Sequence, residues 1–314
     1  MALFSQAQRV PILPEAFPWP SRRHEAAQAE VVNSIMGETQ WFGWWAMQRM
    51  VADTSISLGA PLEIIVYLPG SGSTTLLDQN TPFVQDLLAG KMQRLFISCS
   101  FMNVTSTGSS VRPSRYSYGN VNSPHFTGSW IKYAAEAANH IGNVARYYAG
   151  MHQGTRIVLL GQSMGSSAHV AYLANMHPQS RAYFNDLHGV DGKIAGALVN
   201  APTQAGLGDY SWNDLPRNIR GMSDMFHRLD PSIKTLISYG DADEYAPPYY
   251  TSRVRQALKP GSPHYLLSAG PGIGHNWMTT AAGRPKVRTW IDQLFDGTTI
   301  TQVDGVTPAM PGPM

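Results

Sequence analysis

Short apolar, β-branched runs alternate with stretches of helical periodicity along most of this chain. The runs fall at residues 62–68, 95–101, 156–160, 194–199, 233–238 and 264–268, each closing on Gly or small residues, and they predict strands. Between them, residues 75–89, 130–152, 165–176, 212–229, 248–257 and 277–295 carry helix-like patterns. Strands that alternate with helices imply parallel strands joined by right-handed crossovers, with helices on both faces of a mostly parallel sheet. The expectation is one doubly wound α/β domain over residues 1–297.

Upstream of this alternation, residues 23–53 favour helix and end in the cluster Trp41, Phe42, Trp44, Trp45 and Met47. A group this apolar has to pack against something. The N-terminal extension, residues 1–55, is therefore expected to dock on the sheet or close one of its edges; a substrate-facing wall is the alternative. Two connections are too long for plain turns. Residues 102–129 are rich in Ser, Asn, Gly and Tyr, and residues 202–232 form a lid-like insertion carrying Trp212, Met222, Met225 and Phe226. Both leave the carboxyl ends of predicted strands, where open α/β sheets bind ligands, and long loops in compact domains usually serve function. Residues 298–314 lack periodicity and read as a flexible tail. No internal repeat is visible.

Composition changes this picture little. The 314 residues are 43% hydrophobic, and 29 Gly with 22 Pro indicate many turns. A formal charge of +2 creates no field that would gather polyanions, so nucleic acid is not an expected partner. The single cysteine, Cys99, excludes an intrachain disulfide and sits in an apolar run, which points to a packing role. Residues 1–19 hold three prolines and no apolar core after a basic start, unlike a secretory leader, and no run is long enough for a transmembrane helix. A soluble protein without an integral membrane segment is expected, cytoplasmic, or secreted if a leader was removed.

The chemistry concentrates at Arg156-Ile157-Val158-Leu159-Leu160-Gly161-Gln162-Ser163-Met164-Gly165-Ser166-Ser167-Ala168, a strand followed by Gly-x-Ser-x-Gly and a helix pattern. The glycines are needed because side chains two residues either side of so sharp a turn would collide. The turn lifts the serine hydroxyl above the sheet edge and points the helix N-terminus at the reacting centre. Serine needs a base whose charge changes near neutrality. Of the ten histidines, only His275 sits in a Gly-rich loop, residues 270–277, between the last predicted strand and the last helix. His125, in the long loop 102–129, is the reserve.

At Gly161, Ser163 and Gly165 the chain resembles the α/β-hydrolase superfamily, over roughly residues 62–295. The resemblance implies a chain order of nucleophile, acid and histidine, with Ser163 as nucleophile and His275 as base. It places the acid after residues 233–239, in Gly240-Asp241-Ala242-Asp243-Glu244-Tyr245-Ala246-Pro247, where the pattern favours Asp243; Asp241 and Glu244 stay open. It also implies an oxyanion hole from the Met164 amide and from the loop Pro69-Gly70-Ser71-Gly72, with Ser71 ahead of Gly70 as second donor. Gln162, Tyr118, His125, Trp212, Met222, Met225, Phe226 and Trp277 are candidate substrate contacts. There is no His-Glu-x-x-His, no Cys pair and no Gly-x-Gly-x-x-Gly between strand and helix, so neither metal nor cofactor is expected. The expected activity is hydrolysis of a carboxylic ester, on a small molecule or borne on a polymer. The same triad would serve a peptidase, amidase or thioesterase. A silent scaffold of the same fold is the non-enzymatic alternative, and it has no physical need to keep Ser163, Asp243 and His275 together.

Overall fold

Nine strands join into one sheet in the computed structural model, which describes residues 2–12, 44–57, 60–70, 76–100, 137–138, 140–142, 144, 154–174, 190–202, 226–244, 258, 261–301, 303 and 307–309. In chain order they are β1 (Leu3–Ile12), β2 (Trp44–Asp53), β3 (Glu63–Leu68), β4 (Arg94–Cys99), β5 (Arg156–Gln162), β6 (Ile194–Asn200), β7 (Thr235–Tyr239), β8 (Tyr265–Ser268) and β9 (Thr307–Ala309). The order across the sheet is β1-β2-β4-β3-β5-β6-β7-β8-β9. From β4 to β8 every neighbouring pair is parallel, while β1, β2 and β9 run antiparallel at the two edges.

The six parallel strands are the six apolar runs of the sequence. Helices cover both faces of the sheet, so these strands carry apolar residues on both sides rather than alternating with polar ones. In β3, Ile64, Val66 and Leu68 join one buried cluster and Ile65 and Tyr67 the other. The first cluster packs on helix α2 (Met164–Leu173), which is buried along its whole length, and on helical residues among 137–144. The second packs on α1 (Pro82–Leu88) and α3 (Gly283–Asp296). In α3 the buried Val287, Trp290, Ile291, Leu294 and Phe295 recur at the spacing of one helical face.

The edges depart from the sequence reading. Residues 44–53, expected to end a helix, form β2, paired antiparallel with β1 from Leu3 opposite Asp53 to Ile12 opposite Trp44. The hydrogen-bonding row of β4 gives residues 48–52 a partner strand, and that pairing outweighs the helix-like reading of the sequence. Residues 23–43 lie outside the described residues. At the other edge, part of the expected flexible tail is strand: Leu266 pairs with Ala309 and Ser268 with Thr307 in β9. Three residues are too few to show a period, and Pro308 lacks a ladder donor, which an edge tolerates. Ile300 is buried and Trp290 Nε1 donates to the Thr301 carbonyl at 3.1 Å, so this stretch also clasps α3. The expected helix at 75–89 shortens to α1, with residues 76–81 forming its approach.

The chain order steps from β3 outward to β4 and then back to the other side of β3 at β5. Ligands of open α/β sheets bind at such a reversal, beyond the carboxyl ends of the strands. β5 ends there, at Gln162.

Candidate active site

Ser163 occupies the single residue between β5 and α2, with φ 51° and ψ −114°. A left-handed φ at a residue with a side chain costs on the order of 1–3 kcal/mol and persists only where the surroundings over-determine it. They do so here. The Ser163 N–H donates to the Asn200 carbonyl at 2.8 Å, the Gly165 N–H to the Pro69 carbonyl at 3.0 Å, and the Ser163 carbonyl accepts from Ser167 N–H at 3.0 Å. A Cβ on Gly161 would sit 2.6 Å from Ser166 Cα, and one on Gly165 would overlap the Leu68 carbonyl, so neither position admits a side chain. Ser163 itself is 8% exposed.

The Met164 N–H is the first of α2, and the opening amides of a helix have no acceptor within it. They carry the positive end of the helix dipole. Gly70 lies against the same turn: a Cβ there would stand 3.3 Å from Ser163 Cβ. The Pro69-Gly70 loop expected to supply the second donor therefore borders Ser163, while Ser71 lies outside the described residues.

His275 comes from the loop after β8, and its Nδ1 lies 2.9 and 2.8 Å from the two carboxylate oxygens of Asp243. Both residues are buried. A carboxylate only accepts, so Nδ1 carries a proton, and in the neutral ring Nε2 is the nitrogen with the lone pair. The loop bearing Asp243 is laced to the histidine loop by Ala242 N–H donating to the Ile273 carbonyl at 2.9 Å and Asp241 N–H to the Gly270 carbonyl at 3.4 Å. Of the three carboxylates in this turn, Asp241 and Glu244 are exposed, and Asp241 accepts from Ser268 Oγ at 3.0 Å. Asp243 alone of the three is paired with His275.

Two other described histidines, His140 and His169, are buried in different surroundings. His140 is buried between Gln48 Nε2 at 2.9 Å and the Ser100 carbonyl at 2.7 Å, and burial lowers its pKa from 6.5 to about 4. His169, on the buried α2, is lowered to about 3, again by burial; its ring approaches the Leu160 and Val66 carbonyls without a hydrogen bond of normal geometry.

Three expected substrate contacts are buried and packed or bonded within the fold. Gln162 is buried, its Nε2 donating to the His275 carbonyl at 3.1 Å and to Asn276 Oδ1 at 3.2 Å. Trp277 is buried edge-on against Trp290, and its Nε1 donates to Asn200 Oδ1 at 2.8 Å. Phe226 is 1% exposed within the α2-side cluster, alongside Leu229, so its ring fills core rather than forming an open wall. Tyr118, His125, Trp212, Met222 and Met225 lie outside the described residues, as do loop 102–129 and most of insertion 202–232. Asn200, which the sequence reading passed over, touches nearly every part of the site. Its one sequence signal is a polar residue closing an otherwise apolar strand, Ile194–Asn200.

Among the described residues, no group of three or more His, Cys, Asp or Glu side chains is placed to hold a metal ion. None of their helices is long and apolar enough to cross a membrane.

No protein-family model and no curated protein matches the chain. Solved structures do. A protein described as a dienelactone hydrolase from Klebsiella pneumoniae aligns over 92% of this chain and 99% of its own, with a TM-score of 0.51 at 15% identity. One described as a CIB-like hydrolase from Thermoplasma acidophilum aligns over 94% and 100%, with 0.51 at 14%. One described as a dipeptidyl aminopeptidase IV from Bacteroides ovatus aligns over 94% of this chain and 36% of its own, with 0.57 at 12%. At these identities the likeness is one of fold, and the fold is that of the α/β hydrolases.

Proposed function

We propose that this α/β-hydrolase-fold protein is a serine hydrolase that cleaves carboxylic esters through an acyl-enzyme on Ser163. The observation that carries the reading is the conjunction of a serine in a left-handed strand-to-helix turn with a buried histidine whose Nδ1 lies on a buried carboxylate. A structural turn needs neither. In the proposed reaction the lone pair of His275 Nε2 takes the Ser163 proton as Oγ attacks the ester carbonyl. Asp243 holds the imidazole in that tautomer and stabilises its positive charge. The Met164 N–H, together with a donor from the loop beyond Pro69, faces the oxygen on which negative charge develops. His275 then protonates the departing alcohol, and the same ring activates water to release the acid.

Esters are favoured over amides because an alcohol leaves readily and asks least of the acid. The substrate is a small-molecule or polymer-borne ester. Labelling with a fluorophosphonate probe followed by peptide mapping tests the nucleophile without knowledge of the substrate. The expected adduct is on Ser163, and the Ser163→Ala protein takes no label and loses p-nitrophenyl ester turnover while melting at nearly the same temperature. An adduct elsewhere, or undiminished turnover, refutes the assignment. Faster cleavage of peptide p-nitroanilides than of p-nitrophenyl esters would transfer the triad to a peptidase.

A further inference from the structure

β5 and β8, whose ends carry the nucleophile and lead to the base, are separated by β6 and β7. At about 4.8 Å between neighbouring strands the sheet sets them roughly 14 Å apart, so the histidine loop has to fold back across the ends of the intervening strands and be held there. The carboxyl end of β6 lies under that path, and its last residue is Asn200.

Asn200 is 0% exposed. Its side-chain amide has two donor hydrogens and an acceptor oxygen with two lone pairs. All four are used. Nδ2 donates to the His275 carbonyl at 2.9 Å and to Gln162 Oε1 at 3.1 Å, while Oδ1 accepts from Ser238 Oγ at 3.0 Å and Trp277 Nε1 at 2.8 Å. The amide orientation follows from its partners, because a backbone carbonyl only accepts and an indole N–H only donates. The Asn200 backbone carbonyl accepts in addition from the Ser163 N–H at 2.8 Å and from Ser166 Oγ at 2.8 Å. Gln162 doubles the grip, since its Nε2 reaches the same His275 carbonyl at 3.1 Å. Strain marks the spot: Ala201, the next residue, has φ 46°, and its N–H donates to the Ser238 carbonyl at 2.6 Å.

We infer that Asn200, assisted by Gln162, is a positioning residue that fixes the histidine loop over the nucleophile turn and so sets the geometry between Ser163 and His275. The inference rests on the serine-hydrolase reading above. Asn is suited to the place where other side chains are not: Asp would lack both donors and bury a charge, and Leu would take their partner from Gln162 Oε1, Ser238 Oγ and Trp277 Nε1.

The test is steady-state hydrolysis of p-nitrophenyl acetate, with kcat expressed per active site titrated by a fluorophosphonate. Wild type is measured first; a wild type that takes no label and turns over no ester overturns the serine-hydrolase reading, and this inference with it. With wild type active, Asn200→Ala is expected to lower kcat per titrated site by about 10- to 100-fold, in line with the loss that a misplacement of about 1 Å produces, and to leave KM within about threefold. Gln162→Met, which leaves the bonds that the Asn200 carbonyl accepts from Ser163 and Ser166 in place and removes the donor to the His275 carbonyl and Asn276 Oδ1 together with the acceptor for Asn200 Nδ2, is expected to lower it by about fivefold or more. A merely structural role would reduce the melting temperature and the titratable fraction while each surviving site turned over at the wild-type rate. That result, kcat per site within twofold of wild type in the variants that fold, overturns the inference for an active enzyme. Should Asn200→Ala fail to fold, Gln162→Met decides by the same criterion.

Discussion

Replacing Asp243 by Asn tests the proposed site most sharply, because it changes charge and tautomer while keeping shape. Both carboxylate oxygens lie within 2.9 Å of His275 Nδ1, so an amide has to present either its oxygen or its NH2 to the ring. With NH2 inward, Nδ1 becomes the acceptor and the proton moves to Nε2, where it blocks abstraction from Ser163. With oxygen inward the tautomer survives, but the imidazolium that forms during transfer loses its counter-charge in a buried site. In a well-studied triad the same change costs about 10⁴ in kcat, which at 1.36 kcal/mol per factor of ten is about 5.4 kcal/mol of barrier. We expect Asp243→Asn to lower kcat/KM for p-nitrophenyl acetate by about 10³- to 10⁴-fold and to slow fluorophosphonate labelling in step. Asp241→Asn supplies the contrast. Its carboxylate is exposed and bonded to Ser268 Oγ, away from the ring, so activity should stay within about twofold, as for an ordinary surface change. Both proteins are assayed at one pH, with circular dichroism to establish folding. If Asp241→Asn is the crippled variant, or if Asp243→Asn keeps a tenth of wild-type activity, the assignment of the acid is wrong.

Two further outcomes follow from burial. His140 and His169 are held neutral, with pKa values lowered from 6.5 to about 4 and about 3 chiefly by desolvation. The unfolded chain therefore binds these protons from about pH 6.5 downward while the folded chain does not, so the stabilisation is complete above 6.5 and lost as pH falls. The slope is up to about 1.4 kcal/mol per pH unit for each histidine. Urea titrations at pH 7, 6 and 5 should show this loss, and a flat profile would contradict it. Phe226→Ala should open a cavity in the α2-side core and cost about 3–5 kcal/mol of stability, with esters of all chain lengths affected in parallel. A loss confined to long-chain esters at unchanged melting temperature would return Phe226 to the substrate pocket.

The interior of the fold was legible in the chain because strands buried on both faces have to be apolar at nearly every position, and β3 to β8 answer to the six apolar runs within a residue or two of most boundaries. The edges were not. β2 places the buried Gln48, Val51 and Ala52 beside half-buried Arg49 and Met50, a mixture with neither a clean period of two nor an apolar run. β1 and β9 each contain a proline, which ordinarily argues against a strand and is harmless at an edge. What placed these segments in the sheet was an open hydrogen-bonding row, on β4 for β2, on β2 in turn for β1, and on β8 for β9, a property of the assembled molecule.

The candidate site divides along the same line. The turn at Ser163 could be read locally because its constraint is local: Gly161 faces Ser166 and Gly165 faces Leu68 at distances that no side chain fits. The proposed acid required a choice among three neighbouring carboxylates, and spacing to the proline favoured Asp243, which is buried and lies on His275 Nδ1. The substrate contacts were inferred from residue type near the site, and three of them, Gln162, Trp277 and Phe226, also support the fold. Gln162 and Trp277 are polar-tipped side chains beside the nucleophile, but their tips are turned toward Asn200 and the histidine loop. Asn200 itself gains its meaning from partners 38, 75 and 77 residues away in the chain, at Gln162, His275 and Trp277. A buried amide with four partners is a property of where strands end relative to one another. That is why the proposed nucleophile can be read from five consecutive residues, while the residue proposed to bring the base to it becomes visible only in three dimensions.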